Sequence, residues 1–194
     1  MTTITTEQIK ELRDQTGVSI MQCKKALTEA GGDMEKALVI IQKFSKGLAA
    51  KKGDRTLGAG TVASYIHATS TAGAILVLAS ETDFVSKTDE FKALARDIAM
   101  HITASNPQFV RTEDINEHDK KVAKEVFTEE VKDKPKNMQE KILQGKLEAY
   151  FKEKVLLTQP FIKNPELTIS DLVEQAIQKF GEKIEIVKFS RFTV

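Results

Sequence analysis

Apolar side chains in the first part of the chain recur at helical spacing, in three short segments separated by glycine or polar residues. Thr5 with Gln8, and Ser19 with Gln22, have the spacing of capping boxes, in which two side chains satisfy free backbone donors at a helix start. Three helices in so few residues enclose only a small core. The pattern therefore predicts a three-helix domain over residues 1–46.

The next stretch, residues 47–60, holds four glycines and few large apolar side chains, which is typical of a linker. Basic residues in and beside this stretch either are solvated or contact nucleic acid. We favour a solvated tether, because charge runs of this kind usually face water. The residues concerned are Lys46, Lys51, Lys52 and Arg55.

After residue 60 the pattern predicts two strands, TVASYIHA and AGAILVLAS, joined by a tight turn. A helix capped by Thr88 follows, because the apolar residues from Phe91 to Ile102 recur at i, i+3, i+4 and i+7 until Asn106-Pro107 ends the helix. Near the end of the chain, SDLVEQAIQKFG predicts a closing helix and KIEIVKFSRFTV a last strand.

Residues 113–156 differ from their surroundings, because they carry two charged helical segments split by KDKPKN. The first segment is lined by Val122, Val126, Phe127 and Val131. Each segment is too polar to be stable alone. We therefore expect a helical hairpin (coiled-coil) of two antiparallel helices.

The hairpin interrupts a core domain made of residues 61–112 and 157–194. Strands on both sides of the insertion favour an antiparallel sheet, since a parallel pair would need a crossover. The fold class we predict is α+β, with an N-terminal three-helix domain, an antiparallel sheet of about three strands with helices on one face, and the inserted hairpin.

The composition is that of a soluble globular protein, with 41% hydrophobic and 29% charged residues. A net charge of +1 gives no overall attraction to nucleic acid or anionic lipid, so we expect neither as a direct partner. The N-terminal stretch lacks the apolar core of a signal peptide, and the longest apolar run, residues 72–79, is too short to span a bilayer. With a single cysteine, which cannot form an internal disulfide, we expect a cytoplasmic protein.

The common catalytic motifs are missing from the sequence. Its three histidines lack further ligands at zinc-site spacing, and the glycine-rich GDRTLGAG lacks the Gly-Lys-Ser/Thr ending of a phosphate-binding loop. A site of paired carboxylates stays open, although most Asp and Glu lie near Lys on helix faces. We expect no catalytic residues, metal or cofactor, and treat an enzyme as the weaker hypothesis.

Several apolar side chains instead occupy settings where a fold normally places polar ones. Met21 lies opposite the arc of Ile20, Cys23 and Leu27, and is either a scattered surface methionine or a contact residue. We assign Cys23 to the core.

Phe84 lies in the connection between a strand and a helix, where it either folds back on the sheet or anchors a partner. Phe161 and Ile162 follow the hairpin in a loop bracketed by prolines. Apolar tips without a catalytic constellation favour a protein that binds another protein.

The same segments resemble a known family. ELRDQTGVSIMQCKKALTEAGGDMEKAL is similar to the N-terminal region of bacterial elongation factor Ts, and ETDFVSKTDEF is similar to that family's T-D-F-V signature. IAMHITASNPQFV, GKLEAYFKEKVLLTQPFIKNP and a late SRF match further family segments in order. The resemblance implies a guanine-nucleotide exchange factor for elongation factor Tu, with an N-terminal domain like ubiquitin-associated (UBA) domains and a hairpin used in dimer contacts.

The resemblance also implies residue roles. Arg13, Ile20, Met21 and Lys24 match positions that touch the partner's nucleotide-binding domain, although the family often has Met where Ile20 stands. A second set, Thr82, Asp83, Phe84 and Val85, matches the wedge that enters beside the partner's magnesium and phosphate site. His67 and Ile162, with the adjacent Phe161, match or adjoin positions that meet another domain of the partner.

The chain has one sheet's worth of sequence, so it resembles the short form of the family, for which we expect a homodimer. The rival hypotheses are an RNA- or ribosome-binding adaptor that uses the linker lysines and, third, a small hydrolase.

Overall fold

A computed structural model describes residues 4–194, so the first three residues of the predicted N-terminal domain lie outside the described part. Over this range the fold is α+β, as predicted. The helices are α1 (Thr6–Thr16), α2 (Ile20–Glu29), α3 (Met34–Lys52), α4 (Asp83–Ser86), α5 (Asp89–Ser105), α6 (Glu117–Glu130), α7 (Lys136–Lys154) and α8 (Ile169–Phe180). The strands are β1 (Ala59–Ile66), β2 (Ala72–Ser80), β3 (Pro160–Phe161), β4 (Asn164–Thr168) and β5 (Ile184–Thr193). An antiparallel sheet has the order β1-β2-β5, and β3 pairs with β4 in a separate antiparallel pair.

Helices α1 to α3 begin and end where local chemistry dictates. Both predicted capping boxes are confirmed: the Thr5 side chain accepts from the Gln8 N–H, and the Ser19 side chain accepts from the Gln22 N–H. Gly17 ends α1 in the left-handed region, at φ 68°, which glycine adopts without a Cβ clash. The helices enclose a small buried cluster of Leu12, Val18, Cys23, Ala26, Leu27, Ala37 and Ile41.

Helix α3 does not stop near residue 46 but continues to Lys52, so the first part of the predicted linker is helical. The stretch after Phe44 is rich in Ala, Leu and Lys, which favour helix, and it contains a single glycine. Buried side chains also continue down one face at helical spacing, from Ile41 through Ser45 to Lys52. The non-helical connection to β1 is therefore residues 53–58.

Residue contacts divide the chain into two compact units. Unit 1 comprises Met1–Ala63, Val77–Ala95 and Ser170–Val187, and unit 2 comprises Ser64–Leu76, Arg96–Ile169 and Lys188–Val194. In unit 1 the rings of Phe91 and Phe180 pack edge to face, with centroids 5.9 Å apart. The largest fully buried apolar side chains of unit 2 are Leu76, Ile98, Ile102, Leu156 and Ile169.

Helix α5 carries the predicted apolar stripe. The Thr88 hydroxyl accepts a hydrogen bond from the Phe91 N–H at 3.2 Å, which confirms Thr88 as the cap. After Ser105, Asn106 adopts a positive φ of 49° and the helix ends, as the Asn-Pro pair predicts.

Helices α6 and α7 pack against each other in opposite directions. The rings of Phe127 and Tyr150 meet at 5.4 Å, and Glu130, one turn further along α6, pairs with Lys146, one turn back along α7, at 2.6 Å. The predicted lining of α6 is partly wrong, because Val122 and Val126 are exposed. Val131 is buried, as predicted, but the other buried position is Ala123, one residue after Val122, so Val122 and Val126 point outward.

Candidate protein-binding surfaces

Phe84 is the most exposed of the large apolar residues identified from the sequence. It lies in α4, a single helical turn that follows directly after β2, and 85% of its surface is accessible. Its neighbours Val85 and Ser86 are buried. Successive residues of a helical turn point about 100° apart, so burying the Val85 side chain directs Phe84 outward. The expectation that Phe84 stands free of the core is confirmed.

Val85 itself must be corrected as a member of the wedge. Only 9% of its surface is accessible, so its side chain anchors the turn to unit 1. Thr82, Asp83 and Phe84 are exposed and carry the candidate contact surface.

Asp83 places a negative charge beside the exposed ring. Lys87, one turn later, donates from Nζ to Asp83 Oδ2 at 2.5 Å, and both side chains are exposed. This hydrogen bond, together with the positive charge of Lys87, lowers the pKa of Asp83 below its ordinary value. The carboxylate is therefore ionised at neutral pH. Because the ion pair is exposed, little opposes its exchange for another cation or donor.

Two carboxylates that the sequence did not indicate connect the segment leading into this turn, Glu81 and Thr82, to Glu182 and Lys183. Glu182 accepts from the Thr82 N–H at 3.0 Å and from Thr82 Oγ1 at 2.5 Å. Glu81 accepts from the Lys183 N–H at 2.5 Å and from Arg55 Nη1 at 3.1 Å. Thr82 and Glu182 lie 100 positions apart, Glu81 and Lys183 lie 102 apart, and Arg55 lies 26 positions before Glu81. No local pattern could therefore have indicated these contacts.

A second exposed surface of unit 1 lies at the start of α2 and near the end of α1. Met21 is 82% and Ile20 is 55% exposed, and Arg13 and Lys24 are also exposed. Ile20 occupies the first position of α2 and is exposed, so it does not follow Cys23 into the core as the arc predicted. Two apolar side chains flanked by two cations form a surface suited to a partner of mixed apolar and acidic character.

Cys23 is buried, as predicted. Burial is the largest influence on the thiol and raises its pKa above the ordinary value. A raised pKa keeps the thiol protonated and unreactive at neutral pH. Cys23 is therefore a core residue.

The candidate residues of unit 2 differ in exposure. His67 is exposed just after β1, with Nδ1 3.0 Å from Thr69 Oγ1. Ile162 is 40% exposed, but Phe161 is only 6% exposed and its ring lies 6.2 Å from that of His101. The expectation that Phe161 forms an apolar tip is wrong, because successive residues of extended chain point to opposite sides.

His101 is wholly buried and holds the segment that carries Ile162. Its Nε2 lies 2.8 Å from Gln159 Oε1, an acceptor, so Nε2 carries the proton. Its Nδ1 is then an acceptor and receives the Ile162 N–H at 3.4 Å. Burial lowers the pKa of His101, which favours this neutral form.

Three of the four cations in and beside the predicted linker make internal contacts, and Lys51 is exposed. Lys46 lies 3.4 Å from Asp171, Arg55 pairs with Glu81, and the buried Lys52 donates to the Gly181 carbonyl at 2.5 Å. The interpretation of this cluster as a solvated tether is therefore wrong for Lys52. Salt bridges also reduce the positive charge available to an RNA phosphate at Lys46 and Arg55.

Within residues 4–194, no group of three or more His, Cys, Asp or Glu side chains is arranged to hold a metal ion. Of the helices in this range, none combines the length and apolar character needed to cross a bilayer.

Comparison with known proteins gives one consistent result. The family model described as Elongation factor TS matches residues 3–194. Elongation factor Ts of Carboxydothermus hydrogenoformans is 47% identical over 191 residues, covering 97% of this chain and 88% of that protein. Elongation factor Ts of Thermodesulfovibrio yellowstonii is 46% identical over 192 residues, covering 98% of this chain and 96% of that protein. Elongation factor Ts of Thermosipho melanesiensis is 43% identical over 193 residues, covering 98% of both.

Proposed function

Since the chain belongs to the elongation factor Ts family, we propose that it is a guanine-nucleotide exchange factor for elongation factor Tu, acting in the cytoplasm during translation elongation. The observation that carries the proposal within the chain is Phe84. A phenylalanine that is 85% exposed on a turn anchored by buried neighbours is an apolar side chain whose burial site belongs to another molecule.

In this proposal, nucleotide exchange results from the linkage between two binding equilibria of the GTPase, one for the factor and one for the nucleotide. A factor that binds the empty GTPase more tightly than the nucleotide-bound form must weaken nucleotide binding by the same ratio. Phe84 enters beside the partner's magnesium and phosphate site, and the ionised Asp83 competes there for donors or cations. Neither step forms a covalent bond, so the chain acts without catalytic residues, a cofactor or a metal of its own.

Further contacts increase affinity and orient the two proteins. Arg13, Ile20, Met21 and Lys24 bind the nucleotide-binding domain of elongation factor Tu from a three-helix domain of the ubiquitin-associated type, formed by α1 to α3. His67 and Ile162 bind another of its domains, and the buried Phe161 supports Ile162 from behind.

We also propose a homodimer, in which a second copy supplies the surface that longer family members build within one chain. The helical hairpin of residues 113–156 contributes to the dimer contact. Light scattering at tens of micromolar should give twice the chain mass of 21.6 kDa. A mass equal to that of one chain would contradict the dimer. It would not bear on the exchange activity, which is tested separately.

The direct test of the function is release of fluorescent GDP from elongation factor Tu. The chain should accelerate release in proportion to its concentration until binding saturates, and should have no GTPase activity by itself. An unchanged release rate at saturating concentration, with the protein folded by circular dichroism, would refute the proposal. Binding to ribosomal RNA that weakens steeply with salt would favour the adaptor hypothesis instead.

A further inference from the structure

The Phe84 turn is too short to hold its own shape. Helix α4 has four residues, and a single helical turn fixes more backbone angles than its hydrogen bonds repay. The Phe84 side chain adds little to its stability, because most of its surface is in water. Contacts from elsewhere in unit 1 must therefore set the direction of the ring.

The entrance to the turn is held by a pair of crossed hydrogen-bonded contacts, which we call the carboxylate clamp. Glu182 receives both donors of Thr82, its N–H and its hydroxyl, at 3.0 and 2.5 Å. In the opposite direction, Glu81 receives the Lys183 N–H at 2.5 Å, and Arg55 Nη1 contacts both of its oxygens, at 3.2 and 3.1 Å. The Lys183 N–H is the largest influence that lowers the pKa of Glu81, so this carboxylate is ionised at neutral pH.

Thr82 is used unusually at this helix start. It occupies the N-cap position, where a threonine hydroxyl normally accepts from the backbone of the first turn. Its hydroxyl instead donates to Glu182, so the side chain bonds to a residue distant in the sequence rather than to the backbone of its own helix. Two residues before Phe84, the helix therefore lacks a side-chain cap and has a long-range hydrogen bond to Glu182 instead.

Two lysines extend the clamp to the end of α3. Lys52 Nζ donates to the Gly181 carbonyl at 2.5 Å, and Lys183 Nζ donates to the Gly53 carbonyl at 2.7 Å. Three separate segments thus meet beside the turn. A carboxylate bound by backbone N–H groups and held from several sides has few alternative conformations, which suits it to fix a neighbour's geometry.

We propose that Glu182 is a positioning residue for nucleotide exchange, which acts through Thr82 to hold Phe84 in the geometry that enters the partner. This inference rests on the proposed function. Holding the ring ready before the encounter removes part of the ordering cost of binding. Loss of the clamp leaves the ring present but reduces the fraction of molecules that present it correctly, and the apparent affinity falls by that fraction.

The test compares GDP release from elongation factor Tu at subsaturating concentrations of the full-length protein. Glu182→Ala removes both acceptors and should slow exchange about fivefold, as expected if competent molecules fall to about a fifth of the population. Glu182→Gln should restore most of the rate, because its amide oxygen accepts from the Thr82 N–H and its amide group donates to the hydroxyl. Asp54→Ala is the matched control, since this exposed carboxylate lies beside Arg55 but outside the clamp, and its rate should equal that of the wild type.

The decisive comparison is made in a Phe84→Ala background. If Glu182 acts through the ring, Glu182→Ala should change the rate of that variant by less than about twofold, since residues acting as one unit are not additive. The inference would be overturned if Glu182→Ala reduced the GDP-release rate by the same factor with and without Phe84, or if it left the rate unchanged. In either case the proposed function would still hold, provided that the wild-type protein accelerates release. A wild-type protein that does not accelerate release overturns both. Should Glu182→Ala melt far below the wild type, Thr82→Val, which replaces the hydroxyl with a methyl group and so removes its bond to Glu182, should still slow exchange, and an unchanged rate would overturn the inference.

Discussion

Replacing Phe84 with alanine separates a binding role from a structural one. Only about 15% of the Phe84 surface is covered, and full burial of a phenylalanine is worth up to about 3 kcal/mol, so the covered part contributes roughly 0.5 kcal/mol. For a chain of this size that corresponds to a fall in melting temperature of about 2 °C or less. The exchange rate should fall about thirtyfold, as expected for loss of a binding hot spot worth roughly 2 kcal/mol.

Two phenylalanines of the same unit provide controls. Phe91 is wholly buried, so Phe91→Ala should destabilise the protein by about 3–5 kcal/mol. Phe44 is 51% exposed and lies outside the proposed contact surface, so Phe44→Ala should leave exchange unchanged. Thermal melts by circular dichroism and GDP-release rates decide the matter. A Phe84→Ala protein that melts like Phe91→Ala, yet exchanges normally while folded, would refute the assignment of Phe84 as an anchor.

Three further predictions follow from exposure and charge. Met21→Ala should leave the melting temperature within about 2 °C of the wild type but weaken binding to elongation factor Tu in titration calorimetry, whereas Leu27→Ala, in the core, should melt far lower. Asp83→Ala should slow GDP release less than Phe84→Ala does and should leave the melt unchanged, because the Asp83–Lys87 ion pair is exposed; a lower melting temperature would show that the pair is structural. Burial lowers the pKa of His101 below the ordinary value of 6.5. As the pH falls below 6.5, the unfolded chain therefore binds a proton at His101 that the folded protein does not, and the folded state loses stability. Its contribution to stability is complete above pH 6.5 and is lost toward the folded-state pKa; melts from pH 7 to 5 should fall more steeply for the wild type than for His101→Gln, and parallel curves would contradict this.

Local chemistry accounts for the parts of the fold that the sequence predicted well. The capping pair Ser19–Gln22 and the Thr88 cap depend on residues three positions apart, so their signals are complete within a short segment. Glycine and lysine after residue 46 indicate a linker, whereas α3 continues to Lys52 in the structure. A buried stripe through Ser45 and Lys52 was nevertheless present in the spacing.

The candidate surface shows the limit of such reasoning. Phe84 and Phe161 both stand in polar surroundings in the sequence, yet the first is exposed and the second buried. The difference depends on which side chain of each segment the tertiary structure buries. In the first segment Val85 is buried and the adjacent Phe84 is exposed, whereas in the second Phe161 itself is buried beside His101. Glu182 carried no signal at all, because its partner Thr82 is distant in the chain.

The continuity of α3 restricts how this region can change in length. A flexible linker would absorb added or deleted residues with little effect, since loop closure depends only weakly on length. In a helix each added residue turns everything beyond it by about 100°, so inserting two residues before Lys52 would carry its amine to the opposite side from the Gly181 carbonyl. Insertions or deletions here are therefore tolerated best in steps close to a whole helical turn, and the register of α3 sets the phase between the N-terminal helices and the segment that leads into the sheet.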